Sequence, residues 1–282
     1  MKNDFRKVNV FNNFYQTSSF YPMPVVMVTT LNEEGLTNIG SYSLCFPFGI
    51  ADEHYMMLIS RGDSNTSVNI RERKYCALNF IPYRRKLLKN AVRLGYPGEP
   101  TRQKLEDSIF TLIPSMREEK EAGVNYPEVI SDAIEIFECT WEDDYNKFHF
   151  EGSPGESHYL LRINNIFMKS KWYTCLSEGK GFPSMPVDFG YRDSKNFWFA
   201  KHSRPFPEPI PSDKGVNIDT IKYAVERLGY DLVWEEAACE KLVKVPRVFL
   251  QRVLTGISER AVEKGYKVIT PEVMDEFNQK KR

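Results

Sequence analysis

Apolar residues fall into short β-branched runs along the first two thirds of the chain and spread out to helical spacing in the last quarter. Residues 24–31 carry the run VVMVTT, and Asn32-Glu33-Glu34-Gly35 supplies turn chemistry before a second extended run over 36–45. Together they predict a β-hairpin. Residues 55–60 (YMMLIS) predict a third strand, 64–73 a polar helix with Val68 and Ile70 as its apolar positions, and 75–81 a fourth strand. Between 83 and 132 the pattern loosens into helical pieces. Gly95, Pro97, Gly98 and Pro100 break the chain there, and Thr101 is placed to cap a helix over RQKLEDSIFTL. Strand character returns at 134–141 and 158–169.

The stretch RPFPEPIP, residues 204–211, has four prolines in eight residues and cannot sustain a ladder or a helix interior, so it reads as a linker. Beyond it, residues 218–228, 234–243, 248–264 and 271–279 show helical spacing. Pro246 starts the long helix, Gly265 ends it, and Thr270-Pro271 forms a cap and first-turn pair. Val248, Val253, Leu254, Ile257 and Ala261 form an apolar stripe that needs a partner surface. The predicted organisation is a domain over 1–203, a linker over 204–217 and a helical module over 218–282.

With 41% apolar and 13% aromatic residues among 282, the chain can fill a substantial core. Its 38 basic residues offset 38 acidic ones, so no overall field draws it to nucleic acid or membrane, and any anion site must be local. In the tail, Lys241, Lys244, Arg247, Arg252 and Arg260 are likewise balanced by Glu235, Glu236, Glu240 and Glu259. Cys45, Cys76, Cys139, Cys175 and Cys239 are odd in number and lack C-x-x-C spacing, which fits reduced thiols in a cytoplasm and argues against zinc or iron–sulfur ligation. The N-terminus has no apolar signal core, and no eighteen apolar residues run together.

Two segments carry candidate chemistry. Thr29-Thr30 is followed across the turn by Asn38-Ile39-Gly40-Ser41-Tyr42-Ser43, a strand end whose small and polar residues can bring backbone donors to the edge of a planar heterocycle. The plainer reading is a polar strand end satisfying its own backbone. Ser60-Arg61-Gly62-Asp63-Ser64-Asn65-Thr66 leaves an apolar strand and enters a helix, gathering a guanidinium, three hydroxyls and a helix N-terminus where a phosphate could sit. Its plainer reading is an ordinary N-cap by Asp63 or Ser64. His54, His149, His158 and His202 share no metal or triad spacing. His202 follows WFAK and could end a strand near a pocket.

Taken in order, residues 24–43, YMMLISR, the Asn65-Thr66 to Ile70 helix, YCALN at 75–79 and the segment from Tyr126-Pro127-Glu128 to Glu138-Cys139 resemble the flavin reductase family of the FMN-binding split barrel. The likeness covers residues 21–169. It implies a mainly β fold with helices (α+β): a split β-barrel plus the small helical module. FMN would lie with its ring edge along Thr29, Thr30, Asn38, Ser41, Tyr42 and Ser43, and its phosphate near Ser60, Arg61, Ser64, Asn65 and Thr66. The resemblance also implies a homodimer, with NADH or NADPH as electron source and flavin, metal or a redox protein as acceptor. Because hydride exchange belongs to the cofactor, no catalytic residue is expected. Two departures stand out: Ala51-Asp52-Glu53-His54 where the family often has a Pro-Pro pair, and a longer stretch over 86–123. The tail, from Trp234 through Lys244-Val245-Pro246 to Thr270-Pro271-Glu272-Val273, resembles the C-terminal module of light-independent protochlorophyllide reductase subunits. Alternatives to the enzyme are an FMN-binding electron carrier or sensor without nicotinamide turnover, and an inert barrel that scaffolds the tail.

Overall fold

The computed structural model describes residues 5–50, 53–143, 156–191, 195–208, 216–245 and 247–279. Ala51, Asp52, His149, Pro246 and linker residues 209–215 lie outside them. The chain divides into two compact units, Met1–Pro205 and Phe206–Arg282.

The first unit runs α1 (Phe14–Thr17), β1 (Met23–Pro24), β2 (Val26–Leu31), β3 (Thr37–Tyr42), β4 (Cys45–Pro47), β5 (Tyr55–Arg61), α2 (Asn65–Arg73) and β6 (Tyr75–Phe80). It continues with α3 (Arg85–Leu94), α4 (Thr101–Asp107), β7 (Leu112–Ile113), β8 (Val129–Ile130), β9 (Glu135–Glu142), β10 (Glu156–Met168), α5 (Ser170–Ser177), β11 (Pro186–Tyr191) and β12 (Phe197–Lys201). Seven strands form an antiparallel sheet in the order β3-β2-β6-β9-β10-β5-β4. Only Ser43 and Leu44 separate β3 at one edge from β4 at the other. A flat seven-stranded sheet would be about 29 Å across, whereas two intervening residues reach about 11 Å. The sheet must therefore curl. Its concave face confirms this: Val28 on β2, Cys45 on β4, Leu58 on β5, Leu78 on β6, Cys139 on β9 and Leu161 on β10 share one core cluster with Ile70 of α2.

The opposite face of β2, β3 and β6 is covered too. Met27, Ile39 and Ala77 pack there with Leu88, Ala91 and Leu94 of α3 and with Phe110 and Ile130. Every residue of β2 is buried, which explains a continuous apolar run where a one-sided strand would alternate. The hairpin turn is built as its residues suggest. Asn32 Oδ1 accepts from Leu36 N–H at 2.7 Å, and Gly35 sits at φ +77°.

Four sequence expectations need correction. The run over 24–31 splits at Val25, and β1 pairs with β11 in a separate three-stranded sheet, β1-β11-β12. The run over 36–45 is not one strand but β3 and β4, on opposite edges of the barrel. Thr101 is the first residue of α4, not its cap, and its hydroxyl faces Asn38 Oδ1 at 3.5 Å. That helix stops at Asp107, because Ser108 is extended and Leu112 joins β7.

The second unit contains α6 (Ile218–Glu226), β13 (Val233–Trp234), α7 (Glu236–Leu242), α8 (Arg247–Glu263), β14 (Val268–Ile269) and α9 (Pro271–Gln279), with β13 and β14 paired in parallel. Leu254 and Ala261 of the apolar stripe are buried with Ile221, Leu242, Ile269 and Phe277, and Val253 and Ile257 pack at the margin. Gly265, at φ +75°, closes α8 by donating to Val262 O at 3.0 Å while Tyr266 N–H reaches Ala261 O at 2.9 Å. This is the paired arrangement of a Schellman cap. Thr270 Oγ1 accepts from Val273 N–H at 3.4 Å as the cap of α9.

Candidate functional site

The β3–β4 handover creates a seam in the barrel, and a cleft of about 280 Å³ opens along it. Ser41, Tyr42 and Ser43 leave β3 at its base, and Ser60 and Arg61 end β5 beside them. Ala91 and Val92 of α3, with Gly95 just past its end, form one wall. Asp188, Phe197 and Phe199 from the small sheet form another, with Tyr15 and Gln16 of α1 at the margin. The rings of Phe197 and Phe199 lie 5.0 Å apart, centre to centre. The cleft thus combines apolar side walls with a base of hydroxyls, the composition of a site for a partly flat, partly polar ligand.

Those hydroxyls are linked. Ser60 Oγ donates to Tyr42 OH at 3.0 Å and lies 2.9 Å from Ser64 Oγ, which is 3.3 Å from Tyr42 OH. Ser64 also caps α2 by accepting from Ser67 N–H at 3.1 Å, so the plainer reading of this serine holds in full. Arg61 makes a bidentate pair with Asp63, at 2.9 and 2.7 Å from Nη2, and both side chains are largely exposed. Hydrogen bonding within the pair raises the guanidinium pKa and lowers that of the carboxyl. An exposed pair of this kind is weak, so the guanidinium can turn to another anion at little cost.

The remaining predicted residues sit deeper. Asn38 is fully buried; its Nδ2 donates to Thr66 Oγ1 at 3.4 Å and its Oδ1 accepts from Asn65 Nδ2 at 3.3 Å. Asn65 Nδ2 also donates to Glu99 O at 2.8 Å. Gly40 lets β3 and α2 approach this closely, since a Cβ there would stand 2.7 Å from the Tyr42 ring and 2.8 Å from Thr66 Oγ1. Thr29 and Thr30 are fully buried in β2, accepting from Asn79 Nδ2 at 3.3 Å and Asn69 Nδ2 at 3.0 Å. The structure therefore gathers Ser41, Tyr42, Ser43, Ser60 and Arg61 around the cleft and Ser64 against them. Asn38, Asn65 and Thr66 form the layer behind, and Thr29 and Thr30 lie apart from the lining.

His202 is held by backbone. Its Nε2 lies 3.0 Å from Met185 N and 2.9 Å from Pro183 O, its Nδ1 lies 2.8 Å from Ser203 O, and it does not line the cleft. A residue absent from the sequence reading does: Asp188, 1% exposed, accepts from Gly190 N–H at 2.6 Å and from the Ser43 hydroxyl. Burial pushes its carboxyl up to about 6, against the opposing pull of those two hydrogen bonds. A bulge between Asp188 and Gly190, with Gly190 at φ +69°, bends β11 at this point. The sequence signal was faint, an Asp two residues before a Gly in an aromatic-rich stretch.

Comparison with known proteins reaches only the fold. No family model matches the chain, and no curated protein does. Among solved structures, 2-nitrobenzoate 2-nitroreductase of Pseudomonas fluorescens superposes with a TM-score of 0.54 at 20% identity, over 72% of this chain and 93% of its own. Nitrilotriacetate monooxygenase component B of Bacillus cereus gives 0.55 at 18% identity, over 73% and 100%. An FMN-binding protein of Thermus thermophilus, solved with bound 1-cyclohex-2-enone, gives 0.53 at 13% identity, over 73% and 99%. The first unit has the split-barrel fold of the flavin reductases. No likeness of the tail to light-independent protochlorophyllide reductase subunits emerged.

Proposed function

We propose that the barrel binds FMN in the seam cleft and acts as an oxidoreductase, taking electrons from NADH or NADPH and passing them to a flavin, a metal or a protein or small-molecule acceptor. The observation that carries this reading is the joining of an apolar-walled cleft to a hydroxyl cluster, with a turnable guanidinium at the head of nine-residue α2, on a fold that FMN-binding proteins share. The residues fit the group in two respects. The Tyr42, Ser60 and Ser64 hydroxyls and Arg61 make a donor set suited to a phosphate monoester, and Ser41 and Ser43 edge a slot walled by Val92 and Phe199. When bound, FMN would supply the electron exchange; the chain supplies binding, orientation and exclusion of water. Ser41, Tyr42, Ser43, Ser60, Arg61 and Ser64 are the direct holders in this reading, backed by Asn38, Asn65 and Thr66.

The test is spectroscopic. Protein loaded with FMN and freed of excess should lose its flavin absorbance on anaerobic addition of NADH or NADPH. Bleaching by dithionite but by neither nicotinamide would make the chain an electron carrier instead.

A homodimer belongs to the same reading. Phe11, Phe14, Phe20, Phe46 and Phe48 are exposed on the first unit, apolar surface that a second copy would cover. Light scattering should give twice the 32.9 kDa chain mass, and a monodisperse monomer would refute it. The five cysteines are free thiols, which supports a reducing compartment such as the cytoplasm. Among the described residues no helix is long and apolar enough to cross a membrane.

A further inference from the structure

Most polar groups buried in the barrel are spoken for by fixed partners: Asn79 by backbone and Thr29, Asn69 by Thr30, Glu138 by Ser115 and Met116. The Asp188–Ser43 pair differs because it stands in the cleft wall. Asp188 has a hydroxyl and an amide as its partners, and among the described residues no cation forms an ion pair with it. Strand β1 brings only Met23 and Pro24 to its side, and α1 carries no charge. Strand β12 carries Lys201, in register with Pro186 instead of Asp188. Among the described residues, the ionisable groups that share the cleft with Asp188 are Tyr15, Tyr42 and Arg61, and Arg61 is engaged with Asp63.

We propose that Asp188 and Ser43 form a two-member proton relay for a small conjugated carbonyl acceptor, such as an enone, reduced in this cleft. The proposal rests on the FMN reading above. Asp188 is nearly sealed from water, while Ser43 is only partly buried and belongs both to the cleft lining and to the Asp188 hydrogen bond. With Asp188 neutral, its O–H can donate to Ser43 Oγ, which frees the serine O–H to point at the acceptor. Bound reduced flavin would supply the hydride, and the acceptor would gain its electron pair as a new C–H bond at the β-carbon while the C=C bond opens toward the carbonyl. The negative charge that reaches the carbonyl oxygen takes the serine proton. The Asp188 proton moves to Ser43 Oγ in the same step, leaving a carboxylate that solvent reprotonates after product leaves. The acceptor would gain two electrons from the flavin and one proton drawn from water, and the enol so formed would tautomerise to the saturated ketone. The raised carboxyl pKa supports the assignment, since a buried acid that keeps its proton into mildly acidic solution can still donate near neutrality.

The test uses the full chain loaded with FMN, reduced by a stoichiometric amount of dithionite, then mixed anaerobically with 2-cyclohexenone. Reoxidation should slow about ten-fold per pH unit above roughly 6, as the donor form is titrated away. Asp188→Asn and Ser43→Ala should each slow it by about a hundred-fold at acid pH and flatten the profile, and Ser43→Thr should restore most of the rate. A second readout needs no turnover: infrared difference spectra of the apoprotein between about pH 5 and pH 8 should show loss of protonated-carboxyl absorbance that is smaller in Asp188→Asn by one carboxyl, the remainder coming from Glu135 and the exposed glutamates. Unchanged rates and profile in both variants, no reaction with the enone in wild type, or an undiminished infrared band in Asp188→Asn would overturn the relay while leaving FMN binding intact. Failure of the wild-type protein to hold FMN at all would instead remove the functional reading on which it rests.

Discussion

Two buried carboxyl groups in the barrel have opposite surroundings. Glu138 on β9 accepts from Ser115 Oγ at 3.0 Å and Met116 N–H at 2.9 Å, with Arg117 Nε at 3.8 Å. Arg117 is itself caught between the rings of Tyr75 and Tyr126, at 5.1 and 5.0 Å, and donates to Cys139 O and Thr140 Oγ1. Charge, rings and backbone together pin the chain around 115–117 to strands β6 and β9, and no water-sized space remains beside them. Asp188 is as deeply buried, but among the described residues no cation pairs with it, and it faces a cleft. The difference teaches that burial alone does not mark a functional acid. A buried carboxylate beside a cation and fixed donors is a structural lock, whereas one held by a single backbone amide and a hydroxyl at a cavity wall can exchange its proton.

The comparison breaks most visibly at the lock. Arg117→Met should leave Glu138 buried without its cation and lower stability by about 3–5 kcal/mol, read as a fall in the urea midpoint. A loss below about 1 kcal/mol would mean that the Ser115 and Met116 hydrogen bonds suffice on their own.

At the cleft the sign reverses. Asp188 titrates at about 6 when folded and near 3.9 when unfolded, so the folded chain holds that proton longer. The resulting stabilisation is fully present below about pH 4 and is lost as pH rises through about 6. Asp188→Asn, which cannot ionise, should therefore match wild type near pH 3.5 and exceed it by about 3 kcal/mol at pH 8. Urea unfolding of both proteins at the two pH values measures this directly, and a variant less stable than wild type at pH 8 would place Asp188 among the locks.

Much of this architecture was legible because its causes are local. The run VVMVTT, the Asn32–Gly35 turn, the Ser64 cap, the Gly265 and Thr270 signals and the apolar stripe of α8 each act within a few residues, and the structure places strands, turn, caps and helix accordingly. What could not be read depends on distant partners. Nothing in the continuous run 36–45 announces that Ser43 and Leu44 carry the chain from one barrel edge to the other. The pairing of β1 with β11 joins residues more than 160 positions apart. The candidate site divides the same way. Ser60, Arg61 and Ser64 follow one another at a strand end, so their meeting was predictable. Asp188 reaches Ser43 only through the small sheet, and the burial of Thr29 and Thr30 opposite Asn79 and Asn69 is fixed by sheet register and by the packing of α2.

The central claim, FMN in the seam with its phosphate at Arg61, is tested most directly by fluorescence titration of FMN and of riboflavin into wild-type protein and into Arg61→Ala. Wild type should quench FMN saturably at one equivalent per chain. Removing the guanidinium also leaves the Asp63 carboxylate facing the phosphate, so the variant should bind FMN about ten-fold more weakly, or about 1.4 kcal/mol, with riboflavin affinity held within roughly two-fold. Absence of saturable quenching by wild type, or an equal loss of both ligands in the variant, would contradict the placement of the flavin phosphate at this strand end.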